Sequence, residues 1–175
     1  MNAVGLAPHW HARAGAVAPG PAVIFDLDGV IADAGHRQRF LHLAEPDWDG
    51  FYGSAHLDGV LEAGRALTRA IRPDAVVIVL TGRVDDVSDV TRDWLDANGV
   101  RWDLLICRPP EDDDSRHAVD YKRDEVALLR AAGFDLVLAI DDNRRIVAMY
   151  DEAGIPAVYY PSGYYDNSAR YDGGV

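Results

Sequence analysis

Short apolar runs alternate with longer segments of helical period along this chain. Each run is four to six residues long and contains β-branched residues, which is typical of a buried strand. The predicted strands are residues 22–25, 75–80, 104–107, 136–140 and 157–160. The intervening segments place apolar residues on one face at helical spacing. They predict helices over about residues 60–71, 87–95, 120–132 and 143–153.

Three predicted helices end at a glycine that is soon followed by an apolar run: Gly99, Gly133 and Gly154. Glycine just past a helix supplies the left-handed residue that closes it. Helix, turn and strand therefore repeat, which predicts an α/β fold with a mainly parallel sheet and right-handed crossovers. Such a sheet binds ligands at the carboxyl ends of its strands, near the point where the strand order reverses.

Carboxylates cluster where the predicted strands end. Asp26 and Asp28 follow the first strand, and Asp141 and Asp142 follow the fourth. Clustered carboxylates repel one another, which suggests a bound cation, and ligands that are all oxygens suit Mg²⁺. A calcium loop that starts at Asp26 is a poor alternative. It needs glycine at its sixth position and glutamate at its twelfth, where this chain has isoleucine and arginine.

These residues supply what hydrolysis of a phosphate monoester needs. Asp26 can act as the nucleophile and form an aspartyl-phosphate, while Asp28 can protonate the leaving oxygen and then activate water. Thr81, after the second strand, and Lys122, at the start of the third predicted helix, can bind the phosphoryl oxygens. The ligands predicted for Mg²⁺ are the side chains of Asp26 and Asp141, the backbone carbonyl of Asp28 and, directly or through water, Asp142.

Each of these motifs, taken alone, has a common structural explanation. Asp-Gly and Asp-Asp-Asn are frequent turn and helix-cap sequences, and a lysine near the start of a helix is usually just exposed. Their joint occurrence, in this order and at strand ends, favours phosphoryl transfer.

Composition limits the class of protein. The 175 residues suit a single domain, and a net charge of −12 does not resemble a general nucleic-acid binder, although a local basic groove stays open. No apolar run is long enough to span a bilayer, and the lone cysteine, Cys107, fits a reducing cytoplasm. Residues 1–20 predict a flexible extension before a domain at 21–166 and a tail at 167–175, and the acidic residues 112–114 predict a solvated loop.

The motifs resemble those of the haloacid dehalogenase (HAD) superfamily of phosphatases over about residues 21–166. The first of its motifs is matched by Asp26-Leu27-Asp28-Gly29-Val30, the second by Leu80-Thr81-Gly82, the third by Lys122 and the fourth by Ile140-Asp141-Asp142. The resemblance implies a three-layer α/β/α sandwich, a Rossmann-like sheet with the first strand at its centre, and Mg²⁺ as cofactor. It also implies that loop N–H groups, at Gly29 and Gly82, contact the substrate phosphate.

A closer resemblance is to the 3′-phosphatase domain of phage-type polynucleotide kinase/phosphatases. It is carried by residues 80–83, 91–95, 114–116, 121–122 and 139–163, together with Arg108. The resemblance implies that arginines serve the substrate phosphate, namely Arg37, Arg83 and Arg108. The sequence has no phosphate-loop motif of a kinase. Kinase activity is therefore not expected from this chain, and a separate kinase or ligase partner stays open.

Little of the chain is available for a cap over the site. About 30 residues remain between the first strand and the helix that precedes Thr81. They suffice for a flap with Trp48, Phe51 and Tyr52, but not for a separate lid domain. An open site admits a polymer end as readily as a metabolite. The first hypothesis is therefore Mg²⁺-dependent removal of 3′-phosphate from polynucleotide ends. A small-molecule phosphatase, for example on nucleotides, and a non-catalytic binding module are the alternatives.

Overall fold

The computed structural model describes residues 5–110, 112 and 116–165. Residues 113 and 114 of the expected acidic loop and the expected tail at 167–175 lie outside these ranges. The strands are β1 (Trp10–Ala12), β2 (Pro21–Phe25), β3 (Ala32–Asp33), β4 (Gly59–Val60), β5 (Val76–Val84), β6 (Leu104–Arg108), β7 (Asp135–Asp141) and β8 (Ala157–Tyr159). The α-helices are α1 (Gln38–Leu41), α2 (Trp48–Gly53), α3 (Glu62–Ala70), α4 (Ser88–Ala97), α5 (Ala118–Ala131) and α6 (Arg144–Glu152).

Six of the described strands form one sheet in the order β1-β6-β5-β2-β7-β8. All neighbours in it are parallel except β1, which pairs antiparallel with the edge of β6. Strand order therefore reverses at β2, which lies between β5 and β7. The first predicted strand, residues 22–25, corresponds to β2. The prediction of a mainly parallel sheet with this strand at its centre is confirmed. This order places the expected ligand-binding edge at the carboxyl end of β2.

Helices cover both faces of the sheet. Side chains alternate along β2, so that Ile24 packs in one buried cluster and Phe25 in another. The Ile24 cluster includes α5 and α6, and the Phe25 cluster includes α4 and residues that flank α3. Each large apolar side chain buried in this way contributes roughly 1.5–3 kcal/mol. Burial on both faces explains why the strands read as continuous apolar runs.

The helices that pack on the sheet end where the glycines predict. Gly99, Gly133 and Gly154 follow α4, α5 and α6, and each has a positive φ. In each case the N–H of the next residue donates to a carbonyl in the last helical turn, at 2.9 to 3.1 Å. This arrangement satisfies helix carbonyls that would otherwise lack a partner and turns the chain toward the next strand.

The N-terminal segment departs from the prediction of a flexible extension. Trp10–Ala12 pairs with β6, and Trp10 buries its ring and donates its indole N–H to Glu125 at 2.8 Å. His9 contacts the other oxygen of the same carboxylate at 2.8 Å. The prediction is wrong for these residues because the edge of β6 offers backbone groups that need partners and an apolar surface. No local pattern within the segment reveals that edge.

The cap is a small helical flap. β3 and β4 form its two-stranded antiparallel base, and the chain between them carries α1 and α2. α3 follows the flap and packs so closely on the loop after β2 that a Cβ atom at Gly64 would lie 1.8 Å from the carbonyl oxygen of Val30. The base of the flap is therefore held against the loop that carries the first motif.

Two further observations bear on the expectations from composition. Within residues 5–110 and 116–165, no helix is long and apolar enough to cross a membrane. Cys107 is a free cysteine inside β6, and burial raises the pKa of its thiol to about 12. The thiol therefore stays protonated and unreactive at neutral pH.

Candidate active site

The predicted site residues meet at the carboxyl ends of the central strands. Asp26 follows β2, Asp141 is the last residue of β7, and Thr81 lies in β5. Lys122 lies in the second turn of α5 and reaches Asp26, which is 96 positions away in the chain. All four residues are buried. The reversal of strand order brings together side chains that the sequence holds far apart.

Among the described residues, Asp26, Asp141 and Asp142 form an acidic pocket in which one oxygen of each lies within 4.8 Å of the others. Lys122 donates from Nζ to Asp26 Oδ1 at 2.6 Å and to Asp141 Oδ2 at 2.8 Å. Three carboxylates thus face one ammonium group. When all are ionised, the acidic pocket and Lys122 together carry two excess negative charges.

Burial and mutual repulsion shift the pKa values of these groups. Burial raises the pKa of Asp26 to about 7, because Lys122 only partly offsets it and the charges of Asp141 and Asp28 add to it. Burial, with the charges of Asp26 and Asp141, raises the pKa of Asp142 to about 9. Burial acts to lower the pKa of Lys122, but the two carboxylates outweigh it and hold that pKa well above its ordinary value. Carboxylates outnumber cations here, and the shifts follow from that imbalance.

The acidic pocket fits a divalent cation. Oδ2 of Asp142 is buried and makes no hydrogen bond within the described part of the chain. A buried carboxylate oxygen without a partner is costly unless a cation neutralises it. The donors are all carboxylate oxygens, which suit a hard ion such as Mg²⁺.

Glycine is required where the loop after β2 passes the acidic pocket. Gly29 has a φ of +88°, and a Cβ atom there would lie 2.1 Å from Asp142 Oδ2. Its N–H donates to the carbonyl of Ala32 at 2.8 Å and closes the loop. The structure therefore shows a steric role for Gly29, and its contact with a substrate phosphate stays a prediction.

The Asp28 side chain contacts two buried arginines. Its Oδ1 accepts from Arg37 Nη2 at 2.5 Å and from Arg83 Nη2 at 2.6 Å, and its Oδ2 accepts from Arg83 Nε at 3.2 Å. Burial acts to raise the pKa of Asp28, but the two guanidinium groups outweigh it and hold that pKa well below its usual range. Asp28 is therefore held as a carboxylate, with 21% of its side chain exposed.

Asp58 completes this arrangement, and the sequence did not single it out. Its Oδ2 accepts from Arg37 Nη2 at 2.9 Å and from Arg83 Nη2 at 2.6 Å, and its Oδ1 accepts from Arg37 Nε at 2.9 Å. We call Arg37, Arg83, Asp28 and Asp58 the arginine–aspartate ring. Two guanidinium groups meet two carboxylates, so its charges balance. The sequence holds only an indirect indication of Asp58: arginines placed in a buried site require acidic partners.

Thr81 and Arg108 lie at the same edge of the sheet, in different surroundings. Thr81 Oγ1 accepts the backbone N–H of Arg83 at 3.2 Å, which places it beside the arginine–aspartate ring. Arg108 ends β6, donates to the carbonyl of Arg116 at 3.1 Å and lies over the ring of Tyr121 at 5.3 Å. Contacts of Thr81 and of the three arginines with a substrate phosphate stay predictions.

The flap brings aromatic rings to this side of the site. The guanidinium carbon of Arg37 lies 4.1 Å from the ring centroid of Phe51. Trp48 stacks on Tyr52 with centroids 5.9 Å apart, and the Tyr52 hydroxyl donates to the carbonyl of Gly82 at 3.4 Å. The predicted flap residues therefore pack against one another and against the residues that line the site.

A doubly wound sheet, an acidic pocket where its strand order reverses, and a short flap define a phosphatase of the HAD class. Residues 20–165 match the family model of the polynucleotide kinase PNKP phosphatase domain, and the chain belongs to that family. By family it is therefore a phosphatase. No curated protein sequence matches the chain significantly.

Solved structures share the fold at low sequence identity. Two structures of the Pnkp1/Rnl/Hen1 complex, one described as an RNA repair complex, match with TM-scores of 0.63 and 0.64 at 23% and 22% identity. The matches cover 79% and 81% of this chain but only 42% and 45% of those chains, so it spans less than half their length. A D,D-heptose 1.7-bisphosphate phosphatase from B. bronchiseptica, complexed with magnesium and phosphate, matches with a TM-score of 0.52 at 19% identity, over 88% of this chain and 90% of that one.

Proposed function

We propose that this chain removes 3′-phosphate groups from polynucleotide ends in a Mg²⁺-dependent reaction. The observation that carries the chemistry is the acidic pocket at the carboxyl end of β2, where Lys122 donates a hydrogen bond to Asp26. Two observations support a polynucleotide substrate. Residues 20–165 match the phosphatase domain of polynucleotide kinase, and the small flap leaves room for a polymer end.

Asp26 is the nucleophile in the proposed reaction. One of its carboxylate oxygens attacks phosphorus, the bond between phosphorus and the 3′ oxygen breaks, and the electron pair leaves with that oxygen. Lys122 holds Asp26 in place, and its ammonium group offsets charge on the phosphoryl oxygens. Thr81 adds a hydroxyl donor to the same group.

Asp28 is the proposed acid and base. In its protonated form it gives a proton to the leaving 3′ oxygen, which becomes a hydroxyl group. As a carboxylate it then takes a proton from the water that attacks the aspartyl-phosphate, so that inorganic phosphate leaves and Asp26 is restored. Arg37 and Arg83 orient Asp28 and favour its carboxylate form in the free protein, which the second step needs. The first step requires Asp28 to take up a proton from solvent when the substrate phosphate enters, because a second anion beside Asp28 raises its pKa.

The proposed cofactor is Mg²⁺, held by Asp26, Asp141, Asp142 and the backbone carbonyl of Asp28. When bound, it would neutralise charge on the phosphoryl oxygens. Removal of divalent ions with EDTA should stop turnover, and added Mg²⁺ should restore it. Turnover that persists in EDTA contradicts this part of the proposal.

A phosphatase of free nucleotides or other small esters is the second candidate. It is favoured by the net charge of −12, since an acidic protein repels a polyanion at long range. The deciding measurement is kcat/KM for one oligonucleotide that carries its phosphate at the 3′ end, at the 5′ end or not at all, compared with the matching 3′-nucleotide and a sugar phosphate. The 3′-phosphate oligonucleotide should give the highest value. An equal or higher value for a small ester selects the second candidate.

A separate kinase or ligase partner is part of the proposal. It is supported by the likeness to chains from the Pnkp1/Rnl/Hen1 complex. The 3′-hydroxyl end that this chain would produce is the kind of end that a sealing enzyme joins to a 5′-phosphate. Affinity purification of the tagged chain from its own cells tests the partner. Recovery of the chain without any kinase or ligase contradicts it.

A further inference from the structure

Trp48 differs from the other three tryptophans of the chain. Those three are buried, and each donates its indole N–H to a protein acceptor at 2.8 to 2.9 Å: Trp10, Trp94 and Trp102. Trp48, the first residue of α2 in the flap, is only half-buried, and its indole N–H makes no hydrogen bond within the described residues. Trp48 therefore presents a large ring at the surface of the flap instead of filling a core.

Trp48 and Tyr52 form a pair of parallel rings, which we call the aromatic stack. Their centroids are 5.9 Å apart and their planes differ by 22°. Phe51 packs edge-on against both rings, with centroid distances of 6.1 Å to Trp48 and 5.4 Å to Tyr52. Phe51 is buried, whereas both rings of the aromatic stack are half-buried. A buried ring thus holds two partly exposed rings in a fixed orientation.

The aromatic stack is attached to the residues that line the site. The Tyr52 hydroxyl donates to the carbonyl of Gly82 at 3.4 Å, and Gly82 lies between Thr81 and Arg83. On the other side, the guanidinium carbon of Arg37 lies 4.1 Å from the ring centroid of Phe51. The aromatic stack is therefore fixed beside the groups that are proposed to contact the substrate phosphate.

The charge of the chain favours uncharged contacts with a polynucleotide. A net charge of −12 repels a phosphate backbone at long range. A nucleobase is neutral, and it stacks on an aromatic ring without the help of a cation. The flap also carries Leu57 and Leu43, which are 65% and 50% exposed and are the most exposed large apolar side chains among the described residues. The flap therefore offers a ligand apolar surface.

We propose that the aromatic stack binds the nucleobase of the 3′-terminal nucleotide, which makes Trp48 and Tyr52 specificity-determining residues of the phosphatase. The base would lie on the ring of Trp48 and continue the stack, while the 3′-phosphate of the same nucleotide reaches Asp26. This inference rests on the proposed action on polynucleotide ends. Every base has an aromatic face, so the site should accept all four bases.

Removal of the terminal base from the substrate provides the test. Two 3′-phosphate oligonucleotides are compared that differ only in their last residue, which either carries its base or is a stable abasic sugar. The wild type should have the higher kcat/KM for the oligonucleotide that carries the base. Trp48→Leu should lower that value by about 5- to 150-fold, mainly through KM, because a stacked base contributes this much to binding. The loss for the abasic oligonucleotide should be much smaller.

Two further variants separate stacking from the folding of the flap. Trp48→Phe keeps an aromatic ring and should recover most of the preference for the base, whereas Tyr52→Leu should lose it. The matched control is Phe40→Leu, which removes another half-buried ring of the flap, one that the Arg39 guanidinium already covers at 4.9 Å. Phe40→Leu should change kcat/KM for both oligonucleotides by the same factor.

Equal losses for the two oligonucleotides in Trp48→Leu, or no loss for either, overturn the proposal. If Trp48→Leu does not fold, the wild type alone decides, because equal kcat/KM values for the two oligonucleotides contradict a base-binding site.

The outcomes also separate this inference from the proposed substrate. Suppose that the wild type prefers the free 3′-nucleotide to the oligonucleotide, and that Trp48→Leu weakens the reaction with that nucleotide. The polynucleotide substrate is then contradicted, and the base-binding site stands. Conversely, a 3′-phosphatase that hydrolyses the abasic end as well as the normal end contradicts the base-binding site and leaves the proposed substrate standing.

Discussion

The acidic pocket and the arginine–aspartate ring lie side by side and bury charge in opposite ways. In the acidic pocket three carboxylates face the single ammonium of Lys122, and one oxygen of Asp142 has no hydrogen-bond partner within the described residues. In the ring two guanidinium groups meet two carboxylates through short hydrogen bonds. The acidic pocket has an excess of negative charge that a cation would neutralise, whereas the charges of the ring balance, although Arg37 Nη1 is buried and makes no hydrogen bond within the described residues.

This difference separates binding from positioning. A buried charge that lacks a partner raises the free energy of the folded protein until a ligand supplies one. The acidic pocket therefore favours the binding of a metal cation, and it repels a phosphate group until a cation is bound. The charges of the ring balance without a cation, and its two arginines hold Asp28 in place. Substitutions that remove one charge should consequently have opposite effects on stability in the two regions.

The largest expected effect comes from Asp26→Asn in the acidic pocket. Without the nucleophile, kcat should fall by at least about 10⁴-fold for every ester, including p-nitrophenyl phosphate. The variant should stay folded, because Lys122 keeps Asp141 as a partner and one source of repulsion is removed. Steady-state kinetics and thermal unfolding measure both effects.

The control for this variant is Asp135→Asn, at the exposed start of β7 and at the opposite end of that strand from Asp141. It should leave kcat unchanged. Turnover retained by Asp26→Asn means that another group is the nucleophile.

The second prediction concerns the ring. Arg37→Met removes one of two cations and leaves two buried carboxylates to share the other, so the free energy of unfolding should fall by about 3 kcal/mol. Urea unfolding measures this change. Arg123→Met, which breaks a half-exposed pair with Asp120, should cost less than about 1 kcal/mol. Equal costs for the two variants would show that the ring is not a buried, charge-balanced unit.

The third prediction is an increase in the free energy of unfolding, where the second is a decrease. Asp142→Asn replaces a buried carboxylate that has an unpartnered oxygen with a neutral group of the same shape. In the absence of metal, the free energy of unfolding should rise by about 1 to 2 kcal/mol. Stabilisation by Mg²⁺, about 2.7 kcal/mol for the wild type at a hundred times Kd, should become smaller. A metal-free variant that is less stable than the wild type contradicts the account of the acidic pocket.

The two regions also differ in how far the sequence predicts them. Asp26 and Asp142 directly follow strands and Asp141 ends one, so the hydrophobic pattern alone places them on one edge. The glycines after the helices indicate that the strands are parallel. Asp58 follows no strand and lies 21 positions from Arg37 and 25 from Arg83. Its role depends on how the flap folds over the sheet, and the hydrophobic pattern of the sequence does not predict that.

The edge strand at Trp10–Ala12 escaped prediction for the same reason. Its partner β6 begins at Leu104, and the reason it forms lies in the free edge of that strand. Composition describes residues 1–20 as rich in alanine, glycine and proline, and that is a property of the segment alone. Helices and strands that show a regular hydrophobic pattern are predictable in this chain. Elements that form only because they pair with a remote part of the chain are not.

The last prediction is a dependence of stability on pH, and its sign distinguishes the two regions. In the metal-free protein the pKa of Asp26 is raised from 3.8 to about 7 and that of Asp142 from 3.8 to about 9. The folded state therefore binds more protons than the unfolded state between about pH 4 and pH 9, and stability should fall as pH rises through this window. The expected slope is at most about 1.4 kcal/mol per pH unit for each proton.

The arginine–aspartate ring makes stability rise with pH instead of fall, and it does so at lower pH. Because the pKa of Asp28 lies below 3.8, its contribution to stability is present above that value and is lost only as the pH falls further. Urea unfolding at pH 6, 7 and 8 with EDTA should show the fall that the acidic pocket causes. Saturating Mg²⁺ should abolish it, because a bound cation keeps the carboxylates ionised in the folded state. Asp142→Asn should flatten the slope without metal, whereas Asp135→Asn should not. If the stability of the wild type depends on pH to the same extent in EDTA and in Mg²⁺, the acidic pocket does not bind the ion.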